Sequence, residues 1–200
     1  MTIDVNVKKS DDAFLDDIDE IIEDTMVQMF FLQPDDAAAL EKAKEEADEY
    51  TALFYVIPAE LLEEADGNCV GCRLRSAREL ETVLPLGKPL YIDEADLDAA
   101  FETALIAHGA SGIILNATRS HDNLEHFYIA VGPSNIAAFD PETLARLSMD
   151  KIVLQSGYPD HGFDAIFSAV KTLSDAMFRP EQSIIARATK HTLELSGFKK

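Results

Sequence analysis

The sequence predicts an α/β protein, a compact (β/α)8 barrel of the TIM type formed by a single domain over residues 1–200. Three observations carry that prediction. Short apolar runs alternate with amphipathic helical segments down the whole chain, the order of a parallel sheet with helical crossovers. About eight such runs occur, the number that closes a barrel. The run at residues 152–154 (IVL) is apolar at every position, as a strand buried on both faces must be. At 200 residues the chain stands at the lower size limit of this architecture. An open doubly wound parallel sheet is the alternative. The glycine-rich phosphate loop such sheets often carry, GxGxxG or GxxxxGKS/T, is absent.

Taken in order, residues 3–7 (IDVNV) alternate apolar and polar side chains in a short strand. Ser10, Asp11 and Asp12 then offer a capping hydroxyl and acids for the positive end of a helix dipole. Phe14, Ile18, Ile21 and Ile22 fall on one face of that helix, with Asp16, Asp17, Glu20 and Glu23 mostly facing water. Strand 27–32 leads to Pro34-Asp35-Asp36, which opens a second acidic helix reaching Tyr50. Strand 53–57 ends at Pro58, and a short helix carries Leu61 and Leu62. Strand 69–74 is followed by a helix at 76–83, and strand 90–92 by a helix at 95–108 that stops at Gly109. Strand 112–115, a short helix at 122–126 and strand 128–131 come next. Asp140-Pro141 starts a helix with proline in its favoured first position. The last strand, 151–154, precedes two closing helices at 163–177 and 180–195.

Charge narrows the function. Seventeen Lys and Arg against 37 Asp and Glu leave a net charge of −20. Such a field repels phosphates, so neither nucleic acid nor an anionic membrane is an expected partner. The acid concentrates in residues 11–50, with 15 Asp and Glu against two Lys. Helices 11–24 and 35–50 thus offer an acidic surface to a basic protein partner. No apolar stretch has the length of a signal-peptide core or of a membrane span, so a cytoplasmic location is expected. Cys69 and Cys72 form one CxxC on a predicted strand, without the second pair a zinc site needs; they read as reduced structural cysteines.

In a parallel α/β protein the residues just past the carboxyl ends of strands face the ligand site. After the last strand these are Gln155, Ser156 and Gly157: an amide, a hydroxyl and bare backbone, with no charge. Ser156 has no GxSxG context and reads as a strand-end serine. None of the five histidines forms HxH or HExxH.

The order of local motifs resembles TatD-type metal-dependent deoxyribonucleases of the amidohydrolase-like barrels. MTIDVNVKKSDDAFLDDIDEII is similar to that family's opening strand of pattern I-D-T/S-H-x-H and its acidic helix. GKPLYIDEADLDAAFETAL, GIILNATRS and FYIAVGP are similar to its fifth-, sixth- and seventh-strand segments. LSMDKIVLQSGYPDHG is similar to the final Leu-Glu-Thr-Asp-x-Pro strand, and RPEQSIIARATKHTLELSGF to the closing helix. The resemblance implies a barrel with a two-metal hydrolytic centre, and its departures fall on the metal ligands. The two opening histidines become Asn6 and Lys8, and the fourth-strand glutamate falls near Cys72 or Arg73. The fifth- and sixth-strand histidines become Asp93 and Asn116. The last glutamate and aspartate become Gln155 and Gly157.

A two-metal centre needs imidazole and carboxylate ligands, and Lys8 would repel a cation outright. The resemblance therefore implies a catalytically degenerate homologue, a pseudoenzyme. No catalytic residue, metal or other cofactor is expected, and the role is non-catalytic binding or scaffolding. Its binding residues would be Asn6, Lys8, Arg73, Asp93, Asn116, Gln155 and Gly157 around the barrel mouth. Lys8 and Asp93 are expected to form an ion pair there. Two alternatives stay open. One is a residual metal-dependent hydrolase, phosphodiesterase- or nuclease-like, with a relocated site at Cys72, Asp93 and His161. The other is a small-molecule sensor using the mouth as its pocket.

Overall fold

The computed structural model describes residues 1–8, 14–15 and 18–198. Eight strands run parallel in the order of the sequence: β1 (Thr2–Val7), β2 (Val27–Leu32), β3 (Leu53–Pro58), β4 (Cys69–Leu74), β5 (Leu90–Asp93), β6 (Gly112–Leu115), β7 (Phe127–Val131) and β8 (Ile152–Leu154). Each agrees with a predicted strand to within a residue. All eight contribute to one apolar cluster: Ile3 and Val5, then Phe31, Val56, Val70, Tyr91, Ile113, Ala130 and Val153. A flat sheet with helices on both faces cannot gather side chains from its two edges into one cluster, so the sheet is a barrel and the open alternative falls.

The opposite faces of the strands meet the helices in a second layer, where Phe30, Tyr55, Ile92 and Leu154 share a core with Leu40, Phe101, Ile166 and Val170. Helix α1 (Ile18–Thr25) follows β1. The predicted cap at Ser10–Asp12, and Asp16 and Asp17, lie outside the described residues. Helix α2 (Ala37–Glu49) is capped by Asp36, whose carboxylate accepts from the Ala39 amide at 2.9 Å. It buries Leu40, Ala43 and Ala47, and Glu41, Glu45, Asp48 and Glu49 face water. Between β3 and β4 the predicted short helix is a 3-10 segment, Ala59–Glu64. The helix predicted at 76–83 is a 3-10 turn leading into α3 (Leu80–Val83).

Helix α4 (Ala99–Ala107) is shorter than the predicted 95–108. Asp98 accepts from the Phe101 amide at 2.7 Å and restarts the helix, after Asp93 has capped a separate 3-10 turn at Glu94–Asp96. Gly109 takes the left-handed conformation (φ 60°) that ends it. The short helix predicted at 122–126 is not formed; turns stand there instead, because the segment is tied by its side chains to α4. Beyond β7 the structure adds a four-residue helix, α5 (Pro133–Ile136), which no sequence signal marked. Helix α6 (Pro141–Arg146) has Asp140 as its cap and Pro141 in its first turn, as predicted.

Helix α7 (Ala165–Met177) starts two residues later than expected. Phe163 is left in the loop, where its ring packs against Phe14, Phe30 and Tyr158 at centroid distances of 5.3, 5.1 and 4.8 Å. Helix α8 (Glu181–Leu195) crosses the amino-terminal end of the barrel. Thr189 donates to the Met1 carbonyl at 2.8 Å, and the His191 ring nitrogen Nδ1 lies 3.1 Å from the Ile152 carbonyl oxygen. Leu193, Leu195 and Phe198 pack onto the interior cluster at that end.

Candidate functional site

Four of the seven predicted mouth residues form one continuous chain of hydrogen bonds. Asn6 lies where β1 bulges against β2, Gln155 just past β8, Asn116 just past β6 and Asp93 at the end of β5. Asn6 Nδ2 donates to Gln155 Oε1 at 3.0 Å, Gln155 Nε2 to Asn116 Oδ1 at 3.2 Å, and Asn116 Nδ2 to Asp93 Oδ2 at 2.7 Å. The remaining Asp93 oxygen accepts from the Ala95 amide at 3.1 Å. The amides run head to tail and end on a carboxylate, an arrangement in which each bond polarises the next. Asn116 meets both neighbours from a left-handed backbone (φ 53°), which asparagine tolerates better than most residues.

A second network lies alongside, on the seam between β1 and β8. Among the described residues the strand ladder runs from β1 to β8 with no β8–β1 strand pairing, and bonds made largely by side chains cross the gap. Asp4, fully buried, accepts from the amides of Asn6 and Ser156, both at 3.0 Å, and from the Ser156 hydroxyl. Ser156 Oγ accepts in turn from the Tyr158 amide at 2.9 Å. The Lys8 amide donates to the Tyr158 carbonyl at 2.9 Å, and Gln33 Nε2 to the Val5 carbonyl at the same distance. Burial pushes the Asp4 carboxyl above its ordinary value, while the Ser156 hydroxyl and the two amides pull the other way. Sequence reasoning missed Asp4 and Gln33. The signal for Asp4 was its place in the I-D-V-N pattern; Gln33 had none.

The remaining predicted residues lie elsewhere. Lys8 pairs with Asp160 at 2.9 Å, not with Asp93, whose oxygens are taken by Asn116 and Ala95. Arg73 sits at the rim, with its guanidinium 2.7 Å from Asp35. Cys72, the residue before it, is buried among the side chains between strands and helices, facing away from the mouth. Its thiol is pushed up to about 12, chiefly by burial and then by Cys69. Both cysteines are free and buried. Gly157 turns the chain with φ 73°, a conformation that strains any other L-residue. His161 Nε2 lies 2.8 Å from the Ser134 hydroxyl in the outer loops.

The relocated metal site at Cys72, Asp93 and His161 is therefore not assembled. Among the described residues no three His, Cys, Asp or Glu side chains converge to hold a metal ion. The donor set at the mouth is three amides and one carboxylate already bonded to one another. It does not fit the imidazole and carboxylate ligands of a two-metal hydrolase.

The loop carrying Asn116 is held by two glutamates. Glu94 Oε2 accepts from the Thr118 amide at 2.7 Å and from its hydroxyl at 2.5 Å, and Oε1 lies 2.6 Å from His121 Nε2. Glu102 on α4 binds Arg119 at 2.6 Å and Asn123 at 2.9 Å. These bonds hold residues 118–123 out of the helix predicted there. Partial burial raises both carboxyls, but the Thr118 and His121 contacts at Glu94, and Asn123, Arg119 and His121 at Glu102, bring each below its ordinary value. A carboxyl held lower in the folded state contributes stability above pH 4.5 and loses it as pH falls through the folded value. Acid titration below that pH is expected to free this loop early, which Thr118 amide exchange followed by NMR would report. At neutral pH, Glu94→Ala should speed exchange at Thr118 by about tenfold or more, since charge-assisted bonds contribute more than neutral ones. The β6 and β7 amides should be unchanged.

No protein-family model matches the sequence, and no curated protein matches it. Solved structures do. A TatD homologue, YjjV, from Escherichia coli K12 superposes with a TM-score of 0.76 at 15% identity, covering 97% of each chain. A TatD-family hydrolase from Entamoeba histolytica gives 0.72 at 10% identity over 97% of each chain. A 2,6-dihydroxybenzoate decarboxylase from Rhizobium gives 0.66 at 12% identity over 98% of each. At such identities the likeness is one of fold. The chain has the (β/α)8 barrel fold seen in TatD-type hydrolases and amidohydrolases.

Proposed function

We propose that this protein is a catalytically degenerate barrel of the TatD-like type, whose mouth and acidic helices serve binding or scaffolding in place of metal-dependent hydrolysis. One observation carries the reading: positions that match metal ligands in the resemblance are Asn6, Gln155, Asn116 and Asp93, and their polar groups bond to one another. A cation entering there would have to break three hydrogen bonds and would find a single carboxylate. Lys8, one strand turn beyond Asn6, adds a like charge near the same ring of strand ends.

The partner that suits the surface is a basic protein face. Helices α1 and α2 expose Asp19, Glu20, Glu23, Asp24, Glu41, Glu45, Asp48 and Glu49 to solvent. Binding of this kind weakens steeply with ionic strength. Among the described residues no helix is long and apolar enough to cross a membrane.

The test is metal content by elemental analysis after incubation of the untagged protein with zinc, manganese and magnesium, with phosphodiesterase turnover followed in parallel. Below about 0.1 equivalent of bound metal and no metal-stimulated turnover is the expected result. One or two tightly held equivalents with turnover would overturn the reading.

A further inference from the structure

The imidazole of His121 is enclosed, with 1% of its side chain exposed, and each of its nitrogens meets a carboxylate. Nε2 lies 2.6 Å from Glu94 Oε1, on the turn after β5, and Nδ1 lies 3.5 Å from Glu102 Oε1 on α4. Nδ1 makes no hydrogen bond, so Glu102 acts on it as a nearby charge. A neutral imidazole carries one N–H and one lone pair, and only the imidazolium offers a proton on both sides. A neutral ring would therefore turn a lone pair on one of the two carboxylates in a place shut off from water. We propose that His121 is a proton-operated latch: charged, it holds the loop between β6 and β7 against α4, and neutral, it releases that loop and with it the Asn116–Asp93 bond at the barrel mouth.

The charges packed around the ring balance only when it is protonated. Arg119, from the same loop, lies 3.6 Å from Glu94 and 2.6 Å from Glu102. Two carboxylates then face two cations, whereas a neutral ring leaves the group with a net negative charge where water screens it little. Asp122 and Lys151 line the small cavity beside His121, and their charges offset one another. Phe127, Ile129, Leu147 and Ile152 make up the rest of that wall with Ser148, so β7, α6 and β8 bring no further charge to it.

The path to the mouth is short. Glu94 follows Asp93, which caps the same turn by accepting from the Ala95 amide at 3.1 Å. Thr118, bonded to Glu94 through its amide and hydroxyl, stands two residues beyond Asn116. Asn116 donates to the other Asp93 oxygen at 2.7 Å from its left-handed backbone. Both ends of that bond are thus set by the segments that His121 draws together.

Imidazole is the side-chain group that ordinarily changes charge between about pH 5 and 8. The contacts of His121 are complete while the ring is charged and are lost as pH rises through its titration. The acid loss at Glu94 and Glu102 has the opposite sign, so the loop is held in a window of pH bounded on both sides. Metal uptake would overturn the proposed function and leave this latch standing. The test follows the His121 ring and the Asn116 side-chain amide of the full chain by ¹H–¹⁵N NMR from about pH 5 to 9, with Thr118 amide exchange corrected for its intrinsic pH dependence. Protection at Thr118 should fall by about fivefold or more across the titration of the ring, as a charge-assisted bond gives way to a neutral one. The Asn116 signals should move with the same midpoint, and protection of the Phe31 amide in β2 should stay constant. His121→Gln, which keeps a donor for Glu94 and cannot charge, should abolish both dependences. Three results would overturn the proposal: a ring that keeps one charge state throughout, a ring that titrates without changing Thr118 protection and the Asn116 signals, or a dependence that persists in His121→Gln. The titration of the unaltered protein needs no variant, so it decides the matter even if the substitution disturbs folding.

Discussion

Asp4→Ala is expected to lower the free energy of unfolding by about 3–5 kcal/mol, read from urea denaturation midpoints at constant slope. The carboxylate sits fully buried on the β1–β8 seam and accepts from two amides and one hydroxyl. Alanine leaves those donors without an acceptor in a place water does not reach, at about 1–3 kcal/mol for each. It also removes the main bridge across a gap with no strand ladder. Asp4→Asn keeps the shape and one acceptor oxygen, and Ser156 can turn its hydroxyl to accept from the new amide. A smaller loss is expected from it.

The two variants also separate by pH. The folded-state value of Asp4 is raised above 3.8, so between 3.8 and that value the folded protein holds a proton the unfolded chain has released. Its contribution is therefore greatest below 3.8 and declines as pH rises through the folded value. The sign is opposite to that of Glu94 and Glu102, whose contribution declines as pH falls. Asp4→Asn should remove the first dependence and leave the second, which unfolding curves at several pH values would show.

Gly132→Ala is the second substitution with a large expected effect, about 3 kcal/mol or more in unfolding free energy. A β-carbon at Gly132 would stand 2.1 Å from the Gln155 carbonyl oxygen and 2.9 Å from Cγ of the same residue. The backbone at Gly132 is extended, so the fault is one of space and not of conformation. The obstruction is backbone at the end of β8, which cannot withdraw without pulling Gln155 out of the amide chain and Ser156 away from Asp4. Loss of stability should thus come with altered Asn6 and Asn116 side-chain amide signals. Gly67→Ala, where a β-carbon would meet nothing within 4 Å, should leave stability nearly unchanged and serves as the control. Unchanged stability in Gly132→Ala would mean that the end of β8 is free to move and that the amide chain does not restrain it.

The same argument bears on how the mouth works. In a barrel whose strand ends are joined through a metal, the cation cross-links them. Here Asn6, Gln155, Asn116 and Asp93 join β1, β8, β6 and β5 through side-chain hydrogen bonds. That gives one side of the mouth a rim of three amides ending on the Asp93 carboxylate. Lys8 and Arg73 occupy the other side with their own acidic partners, Asp160 and Asp35.

The sequence by itself determined the eight strands, their parallel arrangement and most of the helices. These depend on local pattern: a strand buried on both faces must be apolar throughout, as Ile152–Leu154 is, and a helix start needs an acceptor such as Asp36 or Asp140. The resemblance to TatD-type motifs also marked Asn6, Asp93, Asn116 and Gln155 as occupants of one ring of positions. The tertiary structure alone decided which of them touch. Lys8 meets Asp160 across 152 residues of chain, Asn6 meets Gln155 across 149, and Asp4 meets Ser156 across 152. No pattern of neighbours along the chain encodes such pairings, because they are set by the curvature of the barrel that brings its first and last strands together. The helix expected at 122–126 failed for the same reason. Glu94 and Glu102, 27 and 21 residues away from His121 and Asn123, hold that segment by bonds that local propensity does not register.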